Sequence, residues 1–273
     1  MLASDIDSAA KGAVRPRAAD SVLTQASMGL VAYISCDLLH EFAGHGSVCV
    51  VTGGRVASFS AFHFQCFGGW QALVSAAGIL VNLVVGVCLL AWLAGEHGFS
   101  TSMRYFLTLA MAYNLFSGCG YILGSAFTNS GDWANVARLF AISSSLRAGI
   151  LFLAAVVYGF SVVGVAKHLG RIYGSNIGRM WPLVFVPYFS AALAALFAAA
   201  VNAIMAGGQA WMSAIGTTLG NWGFLFLPLI AAIRRKRIKT AEGGPLPYST
   251  TWIVTALGFL AAFLVAASNF RLS

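Results

Sequence analysis

About seven stretches of this sequence are each long and apolar enough to cross a bilayer. They lie near residues 22–50, 70–95, 103–127, 146–168, 182–206, 211–232 and 249–268. A spanning helix needs about 20 mainly apolar residues, because in hydrocarbon the backbone must satisfy itself. The chain is 59% hydrophobic and 9% charged, where a soluble domain carries roughly a quarter charged residues. The expected fold is an all-α polytopic membrane protein with the lipid bilayer as its first partner. The net charge of +8 does not point to nucleic acid, since no aromatic-basic groove or known motif accompanies it. Lys and Arg lie mainly in the loops between apolar runs, where they set orientation and meet anionic head groups.

That placement predicts a cytoplasmic N-terminus. Twelve of the 16 basic residues then lie inside: Lys11, Arg15, Arg17, Arg104, Lys167, Arg171, Arg179 and the five in 234–239. Arg55, Arg138, Arg147 and Arg271 lie outside. Residues 1–20 hold no apolar core of a signal peptide and read as a flexible tail, so the first span is expected to act as the insertion signal. A multi-pass protein of a bacterial-type cytoplasmic membrane is the expected setting. Residues 21–145 hold all the recognisable chemistry and form the expected core, and 146–273 read as appended spans.

The chemistry begins in the first span, at Asp37-Leu38-Leu39-His40-Glu41-Phe42-Ala43-Gly44-His45-Gly46. Ionisable groups inside a span are costly to insert and mark function by default. Only Asp37 and Glu41, of eight acidic residues, lie well inside a span. In His-Glu-x-x-His on a helix the two imidazoles share a face, and the carboxylate serves as base beside a metal. Here the histidines are five apart, which on a regular α-helix separates them by roughly 140°. A π-bulge near Gly44 would absorb the extra residue. Alternatively, the helix ends near Ala43 and His45 comes from the following turn. The competing reading is a buried polar network of Asp37, Glu41 and the histidines.

A third ligand would have to come from elsewhere. Asp132, in Gly131-Asp132-Trp133 after the third span, is the expected donor, although it or Ser130 could instead cap a short helix at 134–140. His63 lies on an expected strand in a hairpin opened by Gly53-Gly54, where it could contact substrate or replace a ligand. Cys36, Cys49, Cys66, Cys88 and Cys119 contain no CxxC and read as free, mostly buried thiols.

These features in order resemble the site-2 protease family of intramembrane zinc metalloproteases, peptidase family M50. The resemblance rests on His40-Glu41 with Gly44-His45, Gly53-Gly54-Arg55-Val56, Ala76-Ala77-Gly78-Ile79-Leu80-Val81-Asn82, and Asn114 followed by Asp132. It spans about residues 25–140. The chain departs from the family pattern in the extra residue of the motif, in Ile79 where proline is usual, and in the long interval from Asn114 to Asp132. The resemblance implies one Zn2+ held by His40, His45 and Asp132, with Glu41 as general base. It further implies that Asn82 and Asn114 position substrate or the oxyanion, and that a membrane-protein segment is the substrate. Family members bring the motif helix toward the cytoplasmic face, whereas the charge count runs it outward. The alternative function is a non-enzymatic transporter or assembly protein using the same buried His/Asp/Glu network.

Overall fold

The computed structural model describes residues 19–95, 98–174, 176–206, 210–234, 243–268 and 270–271. Most of the expected tail at 1–20, and residues 235–239 of the basic run, lie outside the described residues. Seven candidate spans are present among the described residues, and the chain is an all-α polytopic membrane protein with one small sheet.

The first span is a single rod, Val22–Val51. It starts as α1 (Val22–Leu38), passes through a π-helical segment (Leu39–Gly46) and ends as α2 (Ser47–Val51). Gly53, at φ +80°, turns the chain into β1 (Arg55–Phe59), which pairs antiparallel with β2 (Phe64–Phe67). The spans that follow are α3 (Gln71–Ala94) and α4 (Thr101–Thr128), then a short α5 (Asp132–Leu139), then α6 (Ser144–Tyr173) and α7 (Ile177–Ala206). The sixth span breaks at Asn221–Trp222 into α8 (Trp211–Gly220) and α9 (Gly223–Arg234). The last is α10 (Thr250–Ala267). After it β3 (Phe270–Arg271) adds to the sheet, whose order is β2-β1-β3.

Local chemistry explains the boundaries. Ser21, Ser100, Ser143 and Ser249 each sit at a helix N-cap and accept the backbone N–H three residues on, satisfying a donor the helix leaves unpaired. Pro187 in α7 cannot donate to the carbonyl of Leu183. The Tyr105 hydroxyl donates to that carbonyl instead, at 2.8 Å, so the bilayer interior holds no orphaned oxygen there.

In the bundle α1 packs against α4, α7 and α10, while α4 packs against α3 and α6. Of the spans after residue 146, α7 and α10 pack directly against the motif helix, and α6 packs on α4. Helix approach is close where side chains are smallest: a Cβ on Gly120 would fall 2.5 Å from the Gly220 Cα.

One correction concerns the cysteines. Cys49 and Cys66 form a disulfide, joining α2 to β2, while Cys36, Cys88 and Cys119 stay free. The spacing of 17 matches no metal or redox motif, so only the hairpin's fold-back reveals the pair.

The opposite end of the bundle is clamped by Asp20. Arg179 donates to both of its oxygens, at 2.7 and 2.8 Å, and the Leu246 N–H donates at 2.8 Å. Burial raises the Asp20 carboxyl, but the Arg179 and Leu246 hydrogen bonds and the guanidinium charge outweigh it and hold it below its ordinary value. A depressed folded-state value stabilises above the unfolded carboxylate range, near about 3.9, and that stability is lost as pH falls through the folded value. Asp20→Asn is therefore expected to lower the thermal midpoint in detergent at neutral pH. The gap to the parent should close in acid, which unfolding scans across pH will read.

Candidate metal centre

Three donor groups meet at the hairpin end of the bundle. One ligand atom each from His40, His45 and Asp132 lies within 4.8 Å of the others. Asp132 Oδ2 is 3.0 Å from His40 Nε2 and 3.3 Å from His45 Nε2. The imidazoles come together because Leu39–Gly46 is π-helical. Its hydrogen bonds run from i to i+5, so a five-residue spacing is one turn and both rings share a face. The expected bulge near Gly44 is thus the structure adopted, and the turn alternative is not. Gly44 contributes in a second way: a Cβ there would fall 2.6 Å from the Gly78 Cα, so its absence lets α3 press against the π segment.

Asp132 arrives from a backbone turn that folds the chain back over α3. Asn129 adopts a left-handed conformation (φ 48°) and Gly131 has φ 82°. The N-cap of α5 is Gly131, with no side-chain cap. The capping role open to Asp132 in sequence is not taken, and its carboxylate faces the imidazoles instead. Burial raises this carboxyl, but hydrogen bonds to His40 and His45 and their charge prevail, holding it well below the usual carboxylate range. It is ionised and ready to face a cation.

Each imidazole is oriented from behind. His45 Nδ1 lies 2.6 Å from the Val74 carbonyl, so Nδ1 donates there, and Nε2, which faces Asp132, is the nitrogen whose lone pair would meet a cation once its proton is lost. His40 Nδ1 lies 3.2 Å from Asn82 Nδ2, while Asn82 Oδ1 is buried without a partner. The two amide orientations of an asparagine are nearly isosteric. Rotated, Asn82 Oδ1 accepts from His40 Nδ1–H, which removes the orphaned oxygen and leaves Nε2, facing Asp132, as the nitrogen that would meet a cation once its proton is lost. This is the outer-sphere arrangement metal-binding histidines use, and the donor set of two imidazoles and a carboxylate suits a dication. The ring of Tyr121 stacks on His40 at 4.5 Å, and that of Phe64 on His45 at 6.1 Å.

Glu41 is buried at 5% exposure in the same segment, and its Oε2 has no hydrogen-bond partner among the described residues. Asp37, one turn earlier, is also buried with Oδ2 unpartnered and does not belong to the three-ligand group. Asn114 turns its amide back onto the Ala110 carbonyl of its own helix, at 2.8 Å. His63 is exposed in the β1–β2 connection and stands apart from the three ligands.

Tyr121 and the Val74 carbonyl carry no signal in the sequence, and Gly78 appears there only as part of the stretch from Ala76 to Asn82. A Cβ on Gly78 would fall 2.5 Å from His40 Nε2. A glycine directly after two alanines in an apolar span carries no signal of that contact. The resemblance implies a substrate or oxyanion role for Asn82, whereas its amide lies against His40. Replacing it with Ala is expected to weaken metal binding about 10–100-fold, the usual effect of removing an outer-sphere partner. Asn114→Ala should leave affinity unchanged, and chelator competition will separate the two.

Compared with known proteins, the chain matches no family model, no curated protein and no solved structure.

Proposed function

We propose that the protein is an intramembrane zinc endopeptidase of site-2 protease type, hydrolysing a peptide bond in a membrane-embedded or membrane-adjacent segment of another protein. The observation that carries this reading is the meeting of His40, His45 and Asp132 beside the buried Glu41 carboxylate, whose Oε2 has no partner among the described residues. The two Nε2 atoms and an Asp132 oxygen would hold one Zn2+. Such an ion supplies Lewis acidity, polarising a carbonyl and acidifying water.

The chain's own residues do the rest. Glu41 Oε2 accepts a proton from the water that attacks the scissile carbonyl. It returns that proton to the amide nitrogen as the C–N bond breaks. Asn82 and the Val74 carbonyl keep the imidazoles in one tautomer and orientation. Phe64 and Phe59 pack over the segment, against His45 and Phe42 respectively, and limit water. Substrate must be extended, since a helix hides its carbonyls. β1 is paired on both sides, so among the described residues the open edges of the sheet are β2 and the two-residue β3; β2 is the longer of the two, and an extended peptide adds there.

Asp37 favours a second reading, because the peptidase chemistry gives its unpartnered carboxylate no task. In a cation or proton transporter it would continue a path from Glu41. Metal analysis of the purified protein tests the first reading. About one zinc per chain is expected, lost in His40→Ala; a parent protein without zinc sinks the proposal.

A further inference from the structure

The two ends of the bundle differ, and the difference assigns a side to the candidate centre. The end opposite it holds the Asp20–Arg179 clamp, with Arg171 donating to the Leu93 carbonyl at 3.1 Å. Arg234 ends α9 at this same end, and Gly243, across the basic run that follows, accepts from Arg179. Lys11, Arg15 and Arg17 precede Asp20 in the sequence. Basic loops of this kind stay cytoplasmic. The centre's end carries the hairpin, α5 and few basic residues.

An independent observation agrees. The one disulfide among the described residues, Cys49–Cys66, lies at the centre's end. Cysteine pairs persist as disulfides on the oxidising side of a membrane and are kept reduced in the cytosol. Cys49 is four residues beyond His45, and Cys66 is two beyond Phe64, whose ring lies on His45. The bridge thus ties the strand that covers the centre to the helix that builds it.

We infer that the His40–His45–Asp132 centre opens on the oxidising, non-cytoplasmic face. Its peptide substrate is then an extended segment flanking a membrane span on that face, a statement that rests on the peptidase reading. Asp132, at 22% side-chain exposure, is the most exposed of the three ligands. The family resemblance pointed to the cytoplasmic face; charge and disulfide chemistry in this chain point the other way.

The test uses the full chain in intact cells. In a Cys88→Ser background, Ser145→Cys places a thiol at the centre's end, on exposed residues opening α6, and Tyr248→Cys places one at the clamped end. A membrane-impermeant maleimide is expected to label Ser145→Cys from outside and Tyr248→Cys only after permeabilisation. Without introduced thiols, Cys49 and Cys66 should alkylate only after reduction with dithiothreitol. Reversed labelling, or alkylation of Cys49 and Cys66 without reductant, overturns the assignment. For the substrate class, a single-span reporter with an unfolded flank on either face should be cut only on the outer flank, and not by Glu41→Gln. Cleavage of the inner flank, or of neither, overturns the substrate assignment. Labelling does not depend on metal, so the two readings fail separately. Zinc-loaded protein with reversed labelling removes this inference alone, and expected labelling without zinc removes the peptidase reading alone.

Discussion

Glu41→Gln is expected to abolish hydrolysis while leaving bound zinc in place. Gln fills the same volume, so the π segment and the packing over it are retained. It cannot accept a proton from water at the pH where a carboxylate can. General-base catalysis contributes about 10²–10⁴-fold, and a loss of that order is expected. The measurement pairs cleavage of a labelled unfolded polypeptide in detergent with zinc content on the same preparation. Full activity in Glu41→Gln would remove the base from the mechanism. Loss of activity together with loss of zinc would show Glu41 to be structural. The transporter reading predicts another pattern, with no product from the parent chain either.

The second large effect is expected at a residue with no side chain. Gly78 lies under His40, where an added Cβ would fall 2.5 Å from Nε2 and 2.7 Å from Cδ2 and Cε1. The ring has little room to retreat. Asn82 lies at its Nδ1 and Tyr121 stacks on it. Overpacking of a dense interior costs about 1–3 kcal/mol. Here that strain falls on a ligand atom, so Gly78→Ala should weaken zinc binding by about one to two orders of magnitude. Gly124→Ala is the control, because a Cβ at Gly124 meets nothing within 4 Å. Chelator titration of both variants should show only the first shifted. Equal affinity in both would mean that the imidazole is free to move and that its orientation is not built in.

The two glycines of this contact show how far the sequence could be read. Gly44 was legible as a place where the helix could be irregular, because His40 and His45 needed one extra residue absorbed between them. Gly78 was not, because its role is defined by a ring on another helix. Asp132 was legible because acidic residues are so scarce in this chain that few donors compete for the third position. Its alternative as a cap could be dismissed only once Gly131 was seen at the N-cap with no side-chain bond. Asn82 was legible as polar and buried but not as the partner of His40, 42 residues away. The Cys49–Cys66 pair was misread for a similar reason: free and bridged cysteines look alike until a hairpin folds one onto the other.

The sequence by itself determined the seven spans, the hairpin after the first and the residues able to hold a cation. Those follow from local rules: apolar length, turn-forming glycines and the cost of charge in hydrocarbon. The charge distribution also supplies an expected direction for the first span. Tertiary structure alone decided that the π segment brings His40 and His45 to one face, and that Asp132 folds back to within 3.3 Å of both. It alone decided that Asn82 and Val74 hold the rings and that β3 pairs with the second side of β1. Apart from the His40–His45 pair, those contacts join residues tens or hundreds of positions apart. Their geometry comes from how closely helices pack, and no local pattern encodes it.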